Sequence, residues 1–199
     1  MVDIDLAFPH SYEIDGIIEL PATGKLEVPL HYFPGARTRP ERDGLWLKLI
    51  PESAEPWVGV FGFGYPSPPA ISRVVSTPDK DRVCVVSGGA AYLVKTDDPE
   101  IWAELPVVPV LDVRCLPTKQ ILVFADFTRL TAYDQNGRVW QSPRLCCDGL
   151  RILKVTEDRI EGVGYDPTSP QREMPFWADL NTGKSLLRPP ISLEGKRLS

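Results

Sequence analysis

The chain has 199 residues, 43% of them apolar and 25% charged, which is enough to bury a core without disulfides or a metal to staple it. Twenty-one prolines and fifteen glycines, scattered rather than gathered in one linker, exclude long helices and favour short β elements. A net charge of −5 with no basic run excludes wrapping a phosphate backbone, and no run of apolar residues reaches the length of a membrane helix, so neither nucleic acid nor membrane is an expected partner.

In chain order, the opening MVDIDLAFPHSYEIDG has no basic leader and no apolar run of signal length, and a cytoplasmic location is expected. GIIELPATGKLEVPLHYF alternates around Ala22-Thr23-Gly24 and reads as a hairpin. FPGARTRPERDG carries Arg37, Arg39 and Arg42 on a Gly/Pro-punctuated connector with no apolar anchor. GLWLKLIPESAEPWVGVFGFG supplies two strands around Pro51 to Pro56. VFGFGYPSPPAI then mixes Phe61, Phe63 and Tyr65 with glycines and prolines. Such a stretch is either a binding lip with rings free to stack or a bent strand that buries alternate rings. Residues 1–71 are thus an irregular β part: two degenerate units, or one separate sheet that caps the rest of the chain.

From Ser72 onward a unit of about 39 residues recurs. RVCVVSGG, QILVFADF and DRIEGVGYD align with Val83, Ile121 and Ile160 as equivalents, spaced 38 and 39 residues apart. Each is preceded by a shorter strand and a polar turn, with Pro78 and Pro117 in the same place, and followed by two more strands. TAYDQNGRVW and WADLNTGKSL are the third-to-fourth strand turns, in which Asp accepts backbone N–H groups while Asn and Gly take a positive φ. Three four-stranded units therefore occupy residues 72–190, and EGKRLS ends a polar tail over 191–199.

ILVFADFTRLTAYDQNGRVW resembles one repeat of the quinoprotein type of β-propeller: Ile121 to Ala125, Leu130 to Asp134, Gly137 and Trp140 match its strand, acidic turn and docking tryptophan. Ala178, Asp179, Thr182, Gly183 and Lys184 match its turn. The resemblance covers residues 72 to 186 and implies an all-β fold of tandem four-stranded antiparallel propeller-like units, an incomplete or small β-propeller with an irregular β N-terminal part. The family's quinone-binding members are far longer, whereas at most about five such units fit in this chain, and no cofactor is expected. Cys146 and Cys147 are similar to the vicinal pair that those enzymes oxidise; in a cytoplasmic chain they are expected reduced.

No nucleophile, zinc, phosphate or calcium motif occurs, and His10 and His31 are the only histidines. The carboxylates Asp97, Asp98, Glu100, Asp148, Glu157 and Asp158 fall where solvated turns are expected. YDPTSPQREMPF lengthens the last unit's hairpin and exposes Arg172 on a candidate recognition face. The expected function is non-catalytic: a β-repeat protein that binds another protein, of inhibitor or immunity type, or that self-associates through sheet edges. Its binding residues would be Phe61, Phe63, Tyr65, Arg37, Arg39 and Arg172. The alternative is a small carboxylate-based hydrolase or carbohydrate-binding module.

Overall fold

The computed structural model describes residues 2–15, 27–34, 44–65, 69–168 and 173–186. The expected turn at Ala22-Thr23-Gly24, the arginines at 37, 39, 42 and 172, and the tail from 191 lie outside the described residues. The N-terminal strands are β1 (Asp3–Asp5), β2 (Tyr12–Asp15), β3 (Leu30–Phe33), β4 (Gly44–Pro51) and β5 (Trp57–Gly62). Unit 1 consists of β6 (Arg73–Ser76), β7 (Arg82–Ser87), β8 (Ala90–Lys95) and β9 (Trp102–Glu104). Unit 2 continues with β10 (Asp112–Leu116), β11 (Ile121–Ala125), β12 (Leu130–Asp134) and β13 (Gly137–Gln141). Unit 3 has β14 (Asp148–Val155), β15 (Arg159–Tyr165), β16 (Glu173–Asp179) and β17 (Ser185–Leu186). No helix among the described residues is long and apolar enough to cross a membrane.

The fold is all-β, in four separate sheets. Each unit is an antiparallel meander with its strands in chain order, and the remaining sheet runs β2-β4-β5-β3. Among the described N-terminal residues, β2 to β5 form one sheet that packs on unit 1, and β1 joins the sheet of unit 1. Three pairings join strands that are not consecutive in the chain: β2 lies antiparallel to β4, β3 lies parallel to β5, and β1 lies parallel to β6 with Asp3 opposite Arg73, adding a fifth strand to unit 1.

The sheets stack face to face through three apolar clusters. Tyr12, Phe33, Leu47, Leu49, Trp57 and Phe61 of the N-terminal sheet meet Val83, Val85 and Tyr92 of unit 1. Cys84 and Val86 on the other face of unit 1 meet Val113, Leu122 and Phe124. Val123, Ala125, Leu130 and Trp140 meet Leu150, Ile152, Ile160 and Phe176. This order explains the sequence patterns. Strands β7 and β11 lie between two neighbours and are almost continuously apolar and buried, whereas β4 and β15, in the outer sheets, alternate buried and accessible residues; β5, a central strand of the N-terminal sheet, departs from this and is buried at every position.

The faces also correct the alignment of the units. Val83 faces the preceding sheet, and so do Leu122 and Ile160, whereas Ile121 faces the following one. The equivalent of Val83 in unit 2 is therefore Leu122, with spacings of 39 and 38 residues. A slip of one residue turns a strand over, and a run apolar at every position carries no parity signal to reveal it.

The two matching turns behave as their residues require. Asp134 Oδ1 accepts from Asn136 N at 2.7 Å, and Gly137 takes φ +127°. Asp179 Oδ1 accepts from the Thr182 hydroxyl (2.7 Å), Thr182 N (2.8 Å) and Asn181 N (3.1 Å), and these donors, the Thr182 hydroxyl foremost, hold its carboxyl below the ordinary carboxylate range.

Candidate functional site at one end of the stack

Antiparallel pairing places the β7–β8, β11–β12 and β15–β16 connections, together with the end of β5, at the same end of the stack. Hydrogen bonds tie these segments together: Gly64 N donates to Ser87 O, Tyr65 N to Gly88 O, Gly89 N to Ile71 O, and Leu150 N to Phe127 O. The strands that flank residues 35–43 also have their ends here, at Phe33 and Gly44.

The three aromatic residues expected to form a lip are divided by this geometry. Phe61 is a correction: it is fully buried, stacked on Phe33 with centroids 4.7 Å apart, because β5 turns that face toward unit 1. Phe63, 52% exposed, lies over the β7–β8 turn, where Gly88 at φ +49° leaves room for its ring. Tyr65 is partly exposed and meets Phe127 of unit 2 edge-on, 6.1 Å between centroids.

Close to this rim is a cavity of about 560 Å³, lined by Leu111, Asp112, Leu150, Ile152, Tyr165 and Glu173, with Pro69 and Leu153 at its margin. Its lining comes from the starts of β10 and β14, the first strands of units 2 and 3, and from the β15–β16 end of unit 3. Its exposed wall surface is mostly apolar, and Asp112, Arg151 and Glu173 are its charged members. Asp112 is gripped by Arg114 through Nε (3.0 Å) and Nη2 (2.8 Å), and Glu173 pairs with Arg151 at 2.7 Å. Charged groups at the cavity thus enter as partnered pairs, and an apolar side chain could fill the space without stranding one of them.

Neither histidine lines this cavity. His31 sits 3.3 Å from Glu100 and edge-on to Trp57, and His10 Nδ1 lies 3.0 Å from Phe8 O. Cys146 is half-buried, its thiol pushed up to about 11 by burial and donating to Phe127 O, while Cys147 is exposed. The turn carboxylates are not brought together: Asp148 and Glu157 stand at opposite ends of β14, Asp97 pairs with Lys95, and Asp158 accepts from the Thr156 hydroxyl. At the start of the long connection, the Thr168 hydroxyl holds the Asp166 carboxyl below its ordinary range.

Sequence reasoning missed Leu111, Leu150 and Ile152, whose apolar pattern is that of any core strand. Tyr165 carried a signal, since it ends an alternating strand just where the hairpin lengthens.

No family model matches this chain, and no curated protein does. A solved structure from S. cerevisiae, dbp5 bound to nup159, gle1, IP6 and ADP, aligns over 92% of this chain and 68% of that chain, at 10% identity and a TM-score of 0.23. A score that low carries no statement about fold or function.

Proposed function

We propose that this protein is a non-catalytic cytoplasmic scaffold, an incomplete set of propeller-like blades, that binds another protein in the manner of an inhibitor or immunity partner. The observation that supports this is the conjunction at one end of Phe63, Tyr65 and Tyr165, all accessible, with a mostly apolar cavity whose carboxylates are already paired. Exposed aromatic side chains around a recess that receives one apolar anchor are the usual make-up of a binding hot spot. The matching partner is a protein loop that presents an apolar side chain.

The test is quantitative capture from native extract by the wild-type chain, by a Phe63→Ser/Tyr65→Ser variant, and by Val139→Ser, which alters an exposed apolar residue on β13. Loss of one specific captured protein by the aromatic variant alone, with its melting temperature unchanged, is the expected result. Equal capture by all three would overturn the assignment. The rival hydrolytic or carbohydrate-binding reading rests on Asp112 and Glu173 lining one cavity, and a Glu173→Gln variant that abolished hydrolysis or sugar binding would establish it instead.

A further inference from the structure

A second surface, which adjoins the cavity and shares Arg151, Leu153 and Glu173 with it, supports self-association. In the N-terminal sheet, unit 1 and unit 2, the face that points onward along the stack is covered by the next sheet. Unit 3 has a face of the same kind. Phe176 and Ala178 point back at unit 2, so Val163, Pro175 and Trp177 lie on the opposite side, aligned through the pairs Val163↔Pro175 and Glu161↔Trp177. All three are half-buried. Leu153, at the irregularity between Ile152 and Lys154, stands out at 62% exposure.

Tryptophans of the N-terminal sheet, unit 2 and unit 3 can be compared directly. Trp57 and Trp140 each face the following sheet and donate the indole N–H to a carbonyl just past its third strand: Thr96 O at 2.7 Å and Leu180 O at 3.0 Å. Trp177 points onward from unit 3 in the same sense, and among the described residues no acceptor meets its N–H. Around it the Arg151–Glu173 pair (2.7 Å) and the Arg159–Glu161 pair (2.8 Å) set two charges of each sign. Lys154, opposite Glu161, and Asp179, opposite Arg159, add one charge of each sign, and Asp148 lies at the end of the face opposite Tyr165, so charge on this patch is mixed and nearly balanced.

We infer that a second copy of this chain covers the outer face of unit 3, the two units meeting across a twofold axis. Such an interface must be self-complementary, and an apolar centre within a rim of balanced charge satisfies that condition, whereas it offers nothing to a strongly charged partner. Pairing at the inner sheet edges is disfavoured, because groups there already have partners. Strand β1 occupies β6, Arg73 Nη1 donates to Val113 O at 2.9 Å, and Arg114 Nη2 donates to Ile152 O at 3.3 Å. The association inferred is through faces.

Sedimentation velocity of the full chain over a wide concentration range tests this without involving Phe63 or Tyr65. The wild type is expected to be a reversible dimer. Trp177→Lys should raise the dimer dissociation constant on the order of tenfold or more, while Trp177→Phe stays close to wild type. If Trp177→Lys does not fold, Arg151→Glu, altering an exposed side chain, takes its place: it should weaken the dimer, and adding Glu173→Arg should restore it. A wild type that stays monomeric, meaning that the face is covered by the chain itself, by a foreign protein or by nothing, overturns the inference. So does a dimer indifferent to these changes.

Discussion

The indole of Trp140, from unit 2, rests directly on Gly183 of unit 3. A β-carbon at Gly183 would come within 2.4 Å of the Trp140 ring, and the indole N–H donates to Leu180 O three residues earlier. Gly183 also has φ +67°. One position thus serves a hairpin and an interface between sheets. Gly137 in the matching turn has φ +127° and nothing within 4 Å of a would-be β-carbon. Both positions impose backbone strain on the order of 1–3 kcal/mol on an alanine, and Gly183→Ala is expected to cost more than Gly137→Ala only in so far as displacing Trp140 outweighs the less favourable φ of Gly137. Equal urea midpoints for the two variants would show that it does not.

The N-terminal sheet is expected to be inseparable from the units. Removing residues 1–70 uncovers Val74, Val83, Val85, Tyr92 and Val94 at about 25 cal/mol per Å² of apolar surface, and takes away β1 as well. A chain beginning at Ile71 should be insoluble or unfolded. Cooperative melting of a soluble monomer near the full-length temperature would show two independent domains.

Arg73 fastens β1. It forms ion pairs with Asp3 (2.9 Å) and Asp5 (3.5 Å) and donates to Val113 O in the next unit. Because both carboxylates retain solvent contact, Arg73→Ala is expected to cost only about 1–2 kcal/mol overall. Its local effect should be larger. Hydrogen exchange of a peptide covering residues 2–8 should accelerate in Arg73→Ala and partially in Arg73→Lys, since an ammonium cannot span all three acceptors. Unchanged exchange would show that Leu6 and Phe8, packed in the apolar clusters, hold the segment unaided.

Stability is expected to fall in alkaline solution. Burial, assisted by the Asp5 carboxylate, pushes the Cys115 thiol up to about 12; burial raises Cys146 to about 11, and Cys84 and Tyr12 are raised as well. In the unfolded chain a thiol ionises near its ordinary value of about 8.5, so between about pH 8.5 and 11 the unfolded state binds fewer protons than the folded one. The contribution is fully present below that window and is lost as pH rises through it. Urea midpoints measured from about pH 7 to 11 should decline, less steeply in Cys84→Ala, with allowance for the cavity that substitution leaves. A flat wild-type profile would show that these groups titrate normally. In the native state near neutral pH, Cys147, the one exposed cysteine, should be the first modified by a thiol reagent.

Much of this architecture is legible in the residue order. The β-branched runs around Val83, Leu122 and Ile160, the Asp–Asn–Gly turns at 134–137 and 179–183, and the prolines at 78 and 117 each act within a few residues, through allowed backbone angles and side-chain to backbone hydrogen bonds. Local chemistry of that kind needs no distant partner to take effect. The candidate site is half legible. Phe63 and Tyr65 stand at the surface as a Gly-rich aromatic stretch suggests, but Phe61 has the same parity, and the residue order does not show that β5 ends at Gly62, between the buried ring and the two exposed ones.

What tertiary structure alone decided is of another kind. That Phe61 stacks on Phe33, that Leu122 rather than Ile121 matches Val83, that β1 docks parallel on β6, and that Leu111 and Tyr165 close on one cavity all depend on which sheet lies against which face. A strand apolar at every position can present either face, and a three-residue strand can add to any free edge. The choice is made by shape and charge met across the stack: Arg73 receiving Asp3 and Asp5, and Gly183 leaving room for Trp140.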